Sequence, residues 1–152
     1  MSNIAVDSNV NAIGVPPTTH VTVSIVTLNI GGSFPHEVQI MGQFSVDCTG
    51  GTGGIVVANI VIDGDLALTT QVNNLEGDAG TLLSLSGVVS LIPGAHQLEL
   101  NAFATNLQFV TVHHRSLSAV DLDGHLRCVE TISALKALPV PISSACTVAL
   151  GY

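Results

Sequence analysis

The sequence is poor in charged residues, and most of the few it has are acidic. Only 9% of its 152 residues are charged, compared with about 25% in an ordinary globular protein. Lys and Arg together number three, and the net charge is −8. Proteins that bind nucleic acid or anionic membranes need a basic face. The composition therefore argues against both as partners.

Long hydrophobic runs are also missing, although 47% of the residues are hydrophobic. No run reaches the roughly 18 apolar residues of a membrane-spanning helix, so no membrane insertion is expected. The first 17 residues lack the basic and apolar regions of a classical secretory signal peptide. Because one small domain has too little interior for so much apolar surface, we expect burial between copies of the chain, as a homo-oligomer.

Cysteine and aromatic residues are scarce as well. The three cysteines, Cys48, Cys128 and Cys146, include no CxxC pair, which argues against a zinc or redox motif. Reduced thiols are favoured, with a Cys128–Cys146 bridge as the alternative. The absence of Trp weakens a lectin interpretation without excluding it, since sugar sites often use an aromatic platform.

What the sequence does contain is a series of alternating apolar and polar residues. One face of the segment from His20 to Ile30 is predicted to carry Val21, Val23 and Ile25. One face of residues 37–47 is predicted to carry Val38, Ile40, Phe44 and Val46. A period of two with β-branched residues predicts strands. Strands at intervals of about 8–12 residues predict an all-β jelly-roll sandwich of roughly 8–10 antiparallel strands.

Glycines and prolines punctuate this pattern. Asp63-Gly64 predicts a tight hairpin, Gly42 predicts a bulge or a close approach, and Gly87 predicts a break in its strand. The domain organisation follows: residues 1–19 as an N-terminal arm or linker, 20–123 as the jelly roll, and 124–152 as an extension that packs on the domain or on a neighbouring subunit. A short helix and a strand both remain open for the extension.

Residues 37–123 resemble the trimeric jelly-roll domains of the complement/tumour-necrosis-factor type. The resemblance is carried by the Asp63-Gly64 turn, by the run from Gly87 to Gly94 (GVVSLIPG), and by the alternating run from Ser116 to Leu122. It implies a homotrimer with a structural or recognition role. The chain departs from that pattern in its few aromatic residues and in the length that follows residue 123.

Polar residues near the end of the predicted sandwich are the candidate metal ligands. His113 and His114 are adjacent, so a regular strand would point them to opposite faces, with one of them in an interface or near a threefold axis. Asp121 and Asp123 precede a glycine, as calcium ligands or turn residues do. Arg115 is expected to pair with an acid. No His-x-His is present, which argues against a cupin metalloenzyme, and no cofactor is expected.

Two loops are the candidate ligand-binding segments, one around Gly51 and one around Asn74 and Glu76. The run TGGTGG lacks the Lys-Ser/Thr of a phosphate loop, and no G-x-S-x-G of a serine hydrolase occurs. We therefore expect a non-enzymatic, trimeric structural or surface-recognition module that binds a glycan or receptor. The alternatives are a capsid-type, particle-forming protein and a small metal-dependent jelly-roll enzyme. An extracellular, cell-surface or virion location is favoured over that of a cytosolic enzyme.

Overall fold

A computed structural model describes residues 4–51, 53–75 and 80–123, which are nearly all β-structure. The nine strands are β1 (Ile4–Asn9), β2 (Ile13–Gly14), β3 (Val21–Ile30), β4 (His36–Thr49), β5 (Gly54–Ile62), β6 (Asp65–Leu75), β7 (Thr81–Leu91), β8 (Gly94–Thr105) and β9 (Phe109–Asp121). Among these residues, no helix is long and apolar enough to cross a membrane.

The strands form two antiparallel sheets that pack as a jelly-roll sandwich. One sheet has the order β1-β9-β4-β7, with β2 also paired to β9, and the other has the order β3-β8-β5-β6. From β2 onward, every connection except the β5–β6 hairpin passes from one sheet to the other. This wrapped connectivity is the jelly-roll arrangement, and it confirms the fold class predicted from the sequence.

The core lies between the inner faces of the two sheets, where alternate residues of each strand meet. The predicted inward face of β4, with Val38, Ile40, Phe44 and Val46, is completely buried. It meets the inner faces of β5 and β8, which include Val56, Ile60, Leu98 and Leu100, also completely buried. Burial of each such side chain contributes about 1.5–3 kcal/mol, which makes this alternation the main source of stability.

In β3 the alternation is interrupted by a β-bulge. Thr22 pairs with Asn101 and Ser24 pairs with Leu100, so Val23 is an extra residue on this strand. The bulge shifts the phase, because one inserted residue moves every later side chain to the other face. Ile25 is consequently 48% exposed on the outer surface, and its predicted place on the face of Val23 is wrong.

The segment that the sequence suggested as an arm or linker contributes strands to the first sheet. All six residues of β1 pair with β9, from Ile4 opposite Val120 to Asn9 opposite Arg115. Strand β2 pairs with β9 further along the chain. The sandwich therefore includes residues N-terminal to His20. The predicted extension, 124–152, lies outside the described residues.

The predicted hairpin is present at the end of β5. Ile62 pairs with Asp65, and the two turn residues Asp63 and Gly64 have φ values of 51° and 90°. Positive φ at both positions matches a type I′ turn. Gly42 is the predicted close approach, since a Cβ there would lie 3.0 Å from Ile60 Cδ1.

Gly87, in contrast, does not interrupt its strand. Strand β7 runs unbroken from Thr81 to Leu91, and a Cβ at Gly87 would lie 2.9 Å from Leu68 Cδ2. The residue therefore makes room for a side chain of β6 instead of ending a strand, and the predicted break is wrong.

Candidate functional site

The outer face of the β1-β9-β4-β7 sheet carries two adjoining depressions. The larger has a volume of about 310 Å³ and is lined by Met41, Gly42, Gln43, Ser84, Leu85, Ser86, Ser116 and Ser118. The smaller has a volume of about 190 Å³ and is lined by Ser8, Asn9, Val10, Gln43, His114, Arg115 and Ser116. Gln43 and Ser116 belong to both, so the depressions are continuous. Hydroxyl and amide groups dominate their walls, and neither has an acidic residue in its lining.

A β-bulge in β9 shapes the smaller depression. Ser116 pairs with Gln43 and His113 pairs with Ser45, so β9 uses three residue steps where β4 uses two. His114, with a φ of 39°, lies within the bulge. As a result His113 and His114 both lie on the outer side of the sheet, with ring centroids 6.4 Å apart. The expectation that they point to opposite faces is wrong, because it assumed an unbroken strand.

The inward position belongs instead to Arg115, which is only 7% exposed. Its Nη1 donates a hydrogen bond to the main-chain oxygen of Asn11, in the β1–β2 connection. Its Nε is buried and has no hydrogen-bond partner among the described residues. No Asp or Glu of the described part of the chain lies within the 4.0 Å of an ion pair. Within that part of the chain, the acidic partner expected from the sequence is absent.

His113 has a partner on the neighbouring strand β4. Its Nε2 lies 3.0 Å from Oδ2 of Asp47, and the other oxygen, Oδ1, accepts a hydrogen bond of 2.7 Å from the Gly80 amide. Both side chains remain partly exposed. The aspartate thereby connects the start of β7 to the bulged strand, which gives the pair a structural role at the rim of the outer face.

The two predicted calcium ligands lie at the other end of β9 and serve as local hydrogen-bond acceptors. Asp121 is buried, and its Oδ2 is 2.7 Å from Nδ1 of His36. Asp123 accepts a 2.7 Å hydrogen bond from the Glu37 amide. The search of residues 4–51, 53–75 and 80–123 finds no group of three or more His, Cys, Asp or Glu side chains that could hold a metal ion. His113 and His114 are likewise not joined to Asp121 or Asp123.

The loop that contains Gly51 packs closely against the β8–β9 connection. A Cβ on Gly51 would lie 1.9 Å from the Asn106 main-chain oxygen, and the φ of Gly51 is 89°. The Gln108 amide donates to the Thr49 oxygen at 3.2 Å. Glycine is needed here because no other residue allows both this backbone conformation and this contact. The loop that the sequence suggested as a mobile surface loop thus has a packed segment.

The second predicted binding loop approaches the same end of the sandwich. Asn74, with a φ of 59°, is exposed near the end of β6, and the next residue, Leu75, pairs with Gly54 just after the glycine loop. The two candidate loops are therefore neighbours, as a binding site would require. Glu76 lies outside the described residues.

A third His–Asp pair joins the β5–β6 turn to β8. His96 Nδ1 is 2.6 Å from Asp63 Oδ2, and its Nε2 is 2.7 Å from the oxygen of Ile92. Since a carbonyl only accepts, Nε2 carries a proton. Burial disfavours the charged ring, but the Asp63 carboxylate and the Ile92 carbonyl outweigh it and raise the pKa of His96. The hydrogen bonds from His96 and the Gln97 amide lower the pKa of Asp63.

Comparison with known proteins gives structural likeness without a family. No protein-family model matches the sequence, and no curated protein matches it. Solved structures do match. The VP2 subviral particle of infectious bursal disease virus aligns with a TM-score of 0.54 and 11% identity, over 79% of this chain and 33% of that one. The T=1 particles derived from the same virus align with a TM-score of 0.51, 13% identity and the same 79%, against 32%.

A sugar-binding protein, the C-terminal domain of EclA, aligns with a TM-score of 0.44 and 11% identity over 73% of this chain and 79% of that one. A likeness at this distance says nothing about function. This chain spans about a third of the viral proteins that it matches. At these identities the likeness establishes the fold alone, and it adds no support for membership of the complement/tumour-necrosis-factor type.

Proposed function

We propose that this protein is a non-enzymatic structural or recognition module that works as a homo-oligomer. The observation that carries the proposal is the composition of the outer face of the β3-β8-β5-β6 sheet. Among the described residues on the pairing rows of this face, Glu99 is the single charged one. We propose that this face, called the assembly face below, is covered by another copy of the chain.

The assembly face has two apolar rows that cross the sheet. In the first, Ile25, Val61 and Leu66 flank Glu99. In the second, Val57 pairs with Phe103, whose ring stacks on His20 at a centroid distance of 4.5 Å. Leu66 is 62% exposed. Contiguous apolar surface of this kind is unusual on a monomer and typical of an interface.

Charge favours a second copy of this chain as the occupant. Each copy has a net charge of −8, so two copies repel one another wherever acidic surfaces meet. Contact through the face that has fewest charges keeps that repulsion small. A basic partner, by contrast, would be expected to seek the acidic parts of the surface.

The area of the face is sufficient for association. Four strands spaced about 4.8 Å apart, with about ten residues each at about 3.3 Å per residue, cover on the order of 600 Å². Two such surfaces bury on the order of 1,200 Å², the lower bound for a stable interface. Assembly through this face alone is therefore expected to be moderate in strength, with further contacts elsewhere.

A trimer is the order that the resemblance to the complement/tumour-necrosis-factor type implies. A threefold ring would pack the assembly face of one copy against a different surface of the next. The second candidate function is a particle-forming structural protein, which the likeness to VP2 in viral particles favours. Both functions fit an extracellular, cell-surface or virion location, and neither requires catalysis.

Light scattering coupled to size exclusion tests the proposal. The expected mass is about three times the subunit mass of 15.6 kDa, and a particle would exceed it many-fold. Leu66→Lys introduces a charge on the assembly face and should reduce the mass. Val88→Lys is the matched control, because Val88 is 55% exposed on the outer face of the other sheet. A monomeric wild-type protein at micromolar concentration, or equal effects of the two substitutions, would contradict the proposal.

A further inference from the structure

The smaller depression on the opposite sheet contains an unusual arrangement of charge. Arg115 is the single Lys or Arg among the described residues, and it lines this depression while remaining 7% exposed. Taking a cation out of water is costly unless an anion lies nearby. Here the guanidinium has one main-chain acceptor, the oxygen of Asn11, and a buried Nε without a partner. A buried polar group left in this state needs a reason.

The nearest acid along the paired strand does not supply the missing anion. Asp7 lies on β1 two residues before Asn9, which pairs with Arg115. The Oδ2 of Asp7 accepts a 2.8 Å hydrogen bond from Ser24 Oγ, and it forms no ion pair with the guanidinium within 4.0 Å. The charge of Arg115 is thus unbalanced within the described residues.

We propose that this depression binds the carboxylate of an acidic sugar, with Arg115 as the group that balances its charge. A single guanidinium matches a single negative charge, and its planar fork suits a carboxylate. A phosphate dianion would leave one charge unpaired on a chain that is already acidic. The volume of about 190 Å³ equals about six water molecules at about 30 Å³ each, enough for a carboxylate and part of the ring that bears it.

The groups around Arg115 suit the rest of a sugar. Gln43, Ser116 and His114 line the same depression, and the first two continue into the larger one with Ser84 and Ser86. Hydroxyl and amide side chains can both donate to and accept from sugar hydroxyls. Neither lining includes an aromatic ring of Phe, Tyr or Trp. Charge balance on Arg115 would therefore take the role that stacking has in many sugar sites.

The β9 bulge is what produces this site. Without the extra residue, regular alternation from Val112 would turn the side chain at position 115 outward. The site also lies on the sheet opposite the assembly face, so it remains open when that face is covered. The inference is therefore independent of the proposed assembly.

The test is binding of glucuronate to the full-length protein, followed by saturation-transfer NMR, which tolerates large oligomers. Saturable binding in the millimolar range is expected, and glucose at the same concentration should bind at least about tenfold more weakly, because a hydrogen bond to a charged group contributes more than a neutral one. Equal binding of glucose would overturn the role of charge. Equal binding of N-acetylglutamate would overturn the assignment to a sugar.

Two substitutions link the binding to this depression. Gln43→Ala should weaken glucuronate binding about three- to tenfold, the effect of one lost hydrogen bond, whereas Gln39→Ala, exposed on the same strand outside both depressions, should leave it unchanged. Arg115→Gln should reduce glucuronate binding to the level of glucose. Because Arg115 is buried and its loss could impair folding, the Gln43 and Gln39 pair decides alone: equal affinities in the two variants would refute the site.

Discussion

The contact between His96 and Asp63 should make the stability of the hairpin depend on pH. Asp63 occupies the first turn position of the β5–β6 hairpin, and it is held there by three contacts. Its amide donates to the Gln97 oxygen at 2.9 Å, its Oδ1 accepts from the Gln97 amide at 2.9 Å, and its Oδ2 meets His96 Nδ1 at 2.6 Å. Asp63→Asn keeps the turn preference and an acceptor for Gln97, but removes the charge that faces the imidazole.

The direction of the pH effect follows from the two pKa shifts. The pKa of His96 is raised in the folded protein, so its stabilisation is fully present below the unfolded value of about 6.5 and is lost as pH rises through the folded pKa. The pKa of Asp63 is lowered, so its stabilisation is present above about 3.9 and is lost as pH falls through the folded pKa. The pair is therefore most stabilising between about pH 4 and pH 6.5.

The size of the effect is set by the environments of the two side chains. A hydrogen bond between charged groups contributes about 1.5–3 kcal/mol. The His96 side chain is almost buried, but the Asp63 side chain is 46% exposed, and solvent screens its charge. We expect Asp63→Asn to lower the free energy of unfolding by about 1–2 kcal/mol at pH 5.5 and by about 0.5 kcal/mol at pH 8.5, where the imidazole is largely neutral.

Urea denaturation at the two pH values, followed by circular dichroism, measures the difference. Asp65→Asn is the matched control, because it removes the same charge from the end of the same turn, and Asp65 makes no ion pair with His96. Its effect should be small and similar at both pH values. An equal loss of stability at pH 5.5 and pH 8.5 for Asp63→Asn would show that the imidazolium–carboxylate contact does not stabilise the hairpin.

Two further substitutions test the packing of the loops and the core by urea denaturation. Gly51→Ala should destabilise the protein by more than about 2 kcal/mol, because the methyl group would meet the Asn106 oxygen at 1.9 Å, whereas Gly53→Ala, with a φ of 63° and open space around it, should cost about 1 kcal/mol; similar costs would disprove the loop contact. Leu117→Asp should cost at least about 4 kcal/mol, since Leu117 is completely buried; a folded protein that has merely lost its oligomeric state would show that this strand is an interface strand and not a core strand.

Local sequence carries most of the information about the strands of this protein. Apolar residues at every second position of β4 and β8 predicted their buried faces, because a strand alternates its side chains whatever lies beside it. Asp63-Gly64 predicted the hairpin, because the positive φ values of its turn are a property of two adjacent residues. The fold class could be inferred from these local features together with the spacing of the turns.

The candidate site could not be predicted in the same way. The interpretation of His113 and His114 relied on regular alternation, and that of Arg115 relied on an acid nearby. Both predictions depend on the register between β4 and β9, strands about 70 residues apart in sequence. A single extra residue in that pairing turns Arg115 inward and leaves both histidines outside.

The sequence by itself determined which segments are strands, where the tight turn lies and which side chains of the regular strands are buried, because these depend on chain conformation over a few residues. Only the tertiary structure decided that β1 joins the sandwich, that β3 and β9 bulge, and that a nearly buried arginine lines a depression without an acidic neighbour among the described residues. The physical reason is that a bulge is a mismatch in residue count between two paired strands, and neither strand encodes it alone.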